Sequence, residues 1–267
     1  MPSLPLALTP ALPPELLTYV LAHQVYPTNL VICQSRDTFL ASLLPIIPQP
    51  IQRHPPPPPD DNTNAFVSPI TEEPEEAFPS ELEPEPPRHP LLTPSLHQIA
   101  SSRHVNVVFI PTVSHLRAYL TAFPPPKEKD ENGGPPELKF DKPGKKVPLL
   151  IVYGLVDLHK NTSEWSAQGL GNTVAGLVEA GWRGEKRVVV IEERKVEDDG
   201  EEMDIEGEQP KRNPRWKVWE ERVPMLNGSV KRAGFESEDS AWSGRTIEVG
   251  RIFARWFKFR KGDWDIE

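Results

Sequence analysis

Six cations crowd the end of this chain: Arg245, Arg251, Arg255, Lys258, Arg260 and Lys261. Phe253, Trp256, Phe257 and Phe259 stand between them. Cationic side chains neutralise phosphates and aromatic faces stack on unpaired bases, so the mixture suits a single-stranded nucleic acid. It equally suits an amphipathic edge strand with aromatics inward and cations outward. A second constellation lies at residues 149–155, Leu-Leu-Ile-Val-Tyr-Gly-Leu. Strands that feed a nucleotide site often carry four apolar residues and then an acidic one that orders magnesium. Here that position holds Tyr153, whose neutral phenol does not hold the metal.

A phosphate cradle needs glycines that free backbone N–H groups, a lysine for the β/γ oxygens and a Ser or Thr hydroxyl for magnesium. Its place is the turn between the first strand and its helix. Taking Asn29–Cys33 as that strand, the turn is Cys33-Gln-Ser-Arg-Asp-Thr38, with neither glycine nor lysine. Arg36 has the charge to pair with a phosphate and Thr38 the hydroxyl for a metal, but the loop itself is missing. No GxxxxGK[ST] occurs anywhere in the chain. Two independent losses argue against ATP hydrolysis, and neither a nucleotide nor a metal cofactor is expected. The seven histidines show no metal-ligand spacing. Ser114-His115 is no nucleophile–base pair, since sequence neighbours rarely point together, and Ser114 is better used as a helix cap.

Composition sets the frame for these groups. Of 33 prolines in 267 residues, 16 fall within residues 45–94. Residues 60–87 add nine acidic residues and no Lys or Arg. Such a segment buries too little apolar surface to offset its ordering entropy and reads as disordered. Residues 192–208 carry ten acidic residues against Arg194 and Lys195, and read as a loose acidic loop. The net charge is −9, and these two tracts account for more than all of it. The body is therefore basic, a charge that suits a polyanionic partner. With Cys33 the only cysteine, no internal disulfide is possible, which fits a reducing compartment. The N-terminus has no basic leader and is broken by prolines, so no signal peptide is expected. No stretch approaches the ~20 apolar residues of a membrane span.

The segments between the tracts alternate. Residues 14–23 read as a helix, 29–33 as a strand and 36–44 as a helix. Ser95 and Gln98 form a capping box for a helix to about Arg103, residues 105–110 a strand, and 114–123 a helix. Residues 149–152 form a strand, 163–180 a helix capped by Ser163, and 187–192 a strand. Short apolar strands without alternation belong in a parallel sheet covered by helices, hence an α/β fold. Gly169, Gly171 and Gly176 weaken the 163–180 helix by about 1 kcal/mol each, which implies close backbone approach, to its own sheet or to a partner. Residues 216–226 and 246–259 look like longer antiparallel strands closing one edge, with a bulge at Gly250; Arg251–Phe259 also fits a helix. The organisation is thus 1–44, a linker at 45–94, a core at 95–191, an acidic loop at 192–210 and C-terminal strands at 211–267.

This order resembles the RecA-type ATPase core of recombinases and their paralogues. The likeness rests on the NLVICQSRDTFLASLL segment, the 95–120 helix–strand–helix unit, the strand ending at Tyr153-Gly154-Leu155 and the RVVVIE strand. It covers residues 29–44 and 95–259, by arrangement rather than by motif. It is closest to the shortened, degenerate paralogues of Shu-type complexes, which assist the strand-exchange recombinase. The resemblance maps the phosphate loop to Cys33–Thr38 and the metal-binding aspartate to Tyr153, both altered. It implies a non-catalytic nuclear subunit that acts in homologous recombination by assembling with related subunits and contacting single-stranded DNA. The Elongator accessory subunits, RecA-like proteins of a tRNA-binding ring, are the alternative; an atypical ATP-binding enzyme is a third. Lys-Arg at 211–212 in PKRNPR is a weak nuclear-import patch.

Overall fold

The computed structural model describes residues 4–47, 89–124, 147–194, 216–226 and 245–265. Most of the proline-rich linker, most of the acidic loop and the PKRNPR patch lie outside these residues; the described end of the linker holds a 3-10 turn, Pro90–Leu92, where disorder was expected.

Six parallel strands form the centre: β1 (Leu6–Leu8), β2 (Thr28–Ile32), β3 (Val105–Phe109), β4 (Leu149–Tyr153), β5 (Arg187–Ile191) and β8 (Lys258–Arg260), ordered β3-β2-β4-β5-β1-β8. β6 (Arg222–Pro224) and β7 (Thr246–Glu248) make a separate antiparallel pair. All five residues of β4 are buried, as an unalternating apolar run requires in a sheet covered on both sides. Alternate residues feed two cores. Leu30, Ile32, Ile151 and Val189 face α1 (Pro13–His23) and α2 (Arg36–Leu43). Val31, Val152, Val188 and Val190 face α4 (Val113–Thr121), α6 (Ala167–Arg183) and α8 (Val249–Phe253). The short helices α3 (Leu96–Ser102), α5 (Leu155–His159) and α7 (Lys217–Glu220) complete the fold.

The α/β class and most elements follow the sequence reading, and the Ser95/Gln98 capping box is present at α3. Five local expectations are corrected. The first strand is β1, not residues 29–33; three residues between Pro5 and Pro10 are too few for hydropathy to register, yet β1 is paired on both sides. Thr112, not Ser114, caps α4, its hydroxyl accepting from His115 N at 3.2 Å. Ser166, not Ser163, caps α6, because Gly154 starts the separate helix α5 first. The C-terminal part does hold antiparallel strands, β6 and β7, but they are short and form a sheet of their own; the edge of the central sheet is β8, parallel to β1. Residues 216–221 hold α7, and residues 246–260 divide into β7, α8 and β8. There is no bulge at Gly250, which lies in α8, where a Cβ would come 3.0 Å from the Trp219 carbonyl. Val249, Ile252 and Phe253 are buried at helical spacing, and burying them together favours helix over strand.

Candidate functional site

In parallel α/β sheets, ligands sit beyond the carboxyl ends of the strands, most often where successive connections leave on opposite faces. β2 and β4 are such a pair, with α2 on one face and α6 on the other. Their tips touch, Cys33 N donating to the Tyr153 carbonyl at 2.9 Å. The structure thus brings together the two segments singled out in sequence. Gly154, at φ 77°, turns the chain away with the space for a Cβ only 3.9 Å from that of Cys33. Arg36 and Thr38 are exposed in the first turn of α2. Ser35 caps that turn, accepting from Thr38 N, and its hydroxyl lies 2.7 Å from that of Thr38. The Thr38 hydroxyl already has a neighbour.

Tyr153 is wholly buried, and its hydroxyl donates to the Ala11 carbonyl at 3.0 Å. Burial, and then the carboxylates of Glu193, Glu192 and Glu15, push its phenol well above the ordinary range. It is a neutral tie between β4 and the turn after β1.

That turn, Thr9–Leu12, is the link from the first strand to its helix, where a phosphate cradle would stand. Its backbone donors can be counted in full. Thr9 N donates to Arg260 O (3.2 Å), Ala11 N to Glu192 O (2.9 Å) and Leu12 N to Glu15 Oε2 (2.7 Å). Pro10, Pro13 and Pro14 have no N–H. From Thr9 to Pro14 no backbone N–H is left for a phosphate. The Glu15 carboxylate occupies the helix N-terminus, an anion where an anion would have to bind. Arg194, the cation beside it, is paired with Glu15 itself.

Sequence reasoning passed over Glu192, whose side chain ends the neighbouring strand. It is 1% exposed, and both its oxygens accept from Val156 N, at 3.0 and 3.1 Å. Burial pushes its pKa up to about 8 against those backbone bonds. The only hint in sequence is an acid directly after four β-branched residues. Burial, and then Glu192, raise the Cys33 thiol well above its usual range, so it is no nucleophile. His159 is fully buried, its Nδ1 donating to Leu155 O at 2.8 Å and its Nε2 3.0 Å from Thr173 Oγ1. Burial lowers its pKa and keeps it neutral. A groove of about 340 Å³ between α4 and α6 is lined by Arg117, Thr173, Gly176 and Arg183 among others. Arg117 is spent on Glu164, Thr173 and Gly169, and Arg183 on the Leu120 carbonyl. These polar groups fasten helices to one another. Among the described residues, no group of three or more His, Cys, Asp or Glu could hold a metal ion.

The C-terminal cations fall on several elements. Arg245 precedes β7, Arg251 is in α8, Arg255 follows it, Lys258 and Arg260 are in β8, and Lys261 comes next. All six are exposed, and Arg251 Nε lies 3.5 Å from Glu248. The aromatics do not share that surface. Phe253 and Phe257 are buried and Phe259 is half-buried, packed around Trp219. Trp256 alone of the four is exposed, at 43%. Cations outward and aromatics inward is what the structure shows, so stacking there is limited to Trp256.

No protein-family model, curated protein or solved structure matches the chain.

Proposed function

We propose that this chain is a non-catalytic subunit of RecA-like kind. In this reading it works in the nucleus, supports homologous recombination by assembling with related subunits, and contacts single-stranded DNA through its C-terminal cations. One observation carries the non-catalytic part: the turn after β1 has every backbone donor engaged or absent and a carboxylate at the helix start. The phenol of Tyr153 in place of a metal ligand, hydrogen-bonded to that same turn, supports it from the other side. A scaffold whose nucleotide position is closed by its own bonds is suited to holding partners. The exposed cations supply the charge for a phosphate backbone.

Isothermal titration of the purified chain with Mg-ATP is expected to show no binding at micromolar concentrations; clear heat of binding there would sink the non-catalytic reading. Affinity capture from nuclear extract is expected to recover recombinase-related subunits. Recovery of Elongator subunits in their place would move the chain to tRNA modification.

A further inference from the structure

The two edges of the central sheet are built differently. β8 is three residues long and carries exposed Lys258 and Arg260, the charged, short edge with which proteins discourage strand addition. β3 is five residues, Val-Asn-Val-Val-Phe, with no charge and no proline, and not one of its residues is fully buried. Val107 at its middle is 45% exposed. Ile110 N donates inward to Ile32 O at 2.8 Å. In a parallel ladder, donors alternate sides, so Val105, Val107 and Phe109 turn their N–H and C=O groups outward. Among the described residues nothing pairs with that edge. The approach to it is also apolar. α3 runs directly into β3 with Leu96 86% and Ile99 43% exposed, and exposed Tyr26 lies edge-on to His104 at the strand's entry.

We propose that β3 is a docking edge for a second copy of this chain, the two β3 strands pairing antiparallel about a two-fold axis at Val107. The pattern is self-complementary. With Val107 opposite its mate, Val105 falls opposite Phe109, so every outward-turned residue meets another and each such pair exchanges both backbone bonds. The facing side chains are then Val107 with Val107 and Val105 with Phe109, favourable cross-strand pairs, while Asn106 falls opposite Val108 in the non-hydrogen-bonded positions. The nearest charge to the strand, Arg103, lies in the turn before β3, outside the paired residues, so the pairing itself sets no like charges face to face. The two six-stranded sheets become one. This inference does not depend on the recombination reading.

Sedimentation velocity of the full chain, from about 1 to about 100 μM, tests it together with amide exchange. A concentration-dependent dimer is expected, with the Val105, Val107 and Phe109 amides slowing as it forms. Val107→Lys, at a half-exposed position where the folded monomer tolerates it, puts like charges face to face on the axis. It is expected to weaken the dimer at least tenfold with an unchanged circular-dichroism spectrum, while Val107→Thr retains it. A monomer throughout the range, or a dimer indifferent to Val107→Lys, overturns the proposal. So does protection of these amides only when a different protein is added, which would assign the edge to a heterologous strand.

Discussion

Glu192 links the chemistry of one side chain to the stability of the whole domain. Its folded pKa of about 8 lies above the ordinary 4.5, so between those values the folded chain holds a proton that the unfolded chain releases. Stability therefore falls as pH rises through that window, by at most about 1.4 kcal/mol per pH unit. His159 has the opposite sign, its lowered pKa making stability rise with pH below 6.5. Lys186, lowered to about 8, acts only above that. Of these three groups, Glu192 is the one whose window spans pH 6.5 to 8. Urea midpoints across it are expected to fall for the wild type and stay level for Glu192→Gln. Tyr153→Asp buries a carboxylate beside Glu192, and the one cation acting on that position, Arg194, is already paired with Glu15. A loss of more than about 3 kcal/mol is expected, with no gain of magnesium binding by titration. These residues were only partly legible in sequence. The sequence placed Tyr153 at the end of a buried strand, but that its hydroxyl fastens the turn at Ala11 depends on β1, which three residues between prolines could not reveal.

At the scale of the element, α6 separates two uses of glycine. A Cβ on Gly169 would come 2.2 Å from the Glu164 carbonyl, so this glycine permits the chain to fold back tightly before the helix. Beside Gly171 and Gly176 there is open space. Gly171→Ala and Gly176→Ala are accordingly expected to stabilise the chain by about 0.5–1 kcal/mol each through helix propensity, and Gly169→Ala to destabilise it. Chemical denaturation with an unchanged m-value reads all three. The sequence reading assigned one cause, close approach, to all three glycines; it holds for Gly169 alone, because only contacts between segments distinguish a crowded helix position from a bare one. The C-terminal elements misled for a related reason. Residues 246–260 satisfy both a strand and a helix pattern locally, and the position of Trp219 against Gly250 settles the matter in favour of α8.

For the molecule as a whole, charge is the long-range feature. Two acidic tracts mask a basic body, and the exposed cations of its C-terminal part are spread over β8, α8 and their flanks. Changing Arg251, Arg255 and Lys258 together to alanine is expected to weaken binding to single-stranded DNA. The slope of log affinity against log salt should fall by up to about 2, at roughly 0.7 per lost phosphate contact. Fluorescence anisotropy over a salt series measures it, and an unchanged slope would mean that these cations only keep the surface solvated.

Hydropathy and composition alone settled the α/β class, the buried strands β2, β4 and β5, and the lack of a glycine–lysine phosphate loop. Those properties reside in residue types and in periods of a few positions. Which strand came first, that β8 runs parallel at the edge, and that the turn after β1 is sealed by Glu192, Glu15 and Tyr153 were decided by the tertiary structure. Each depends on groups far apart in the chain, whose pairing is worth something only once the apolar faces around them are buried and water no longer competes for their hydrogen bonds.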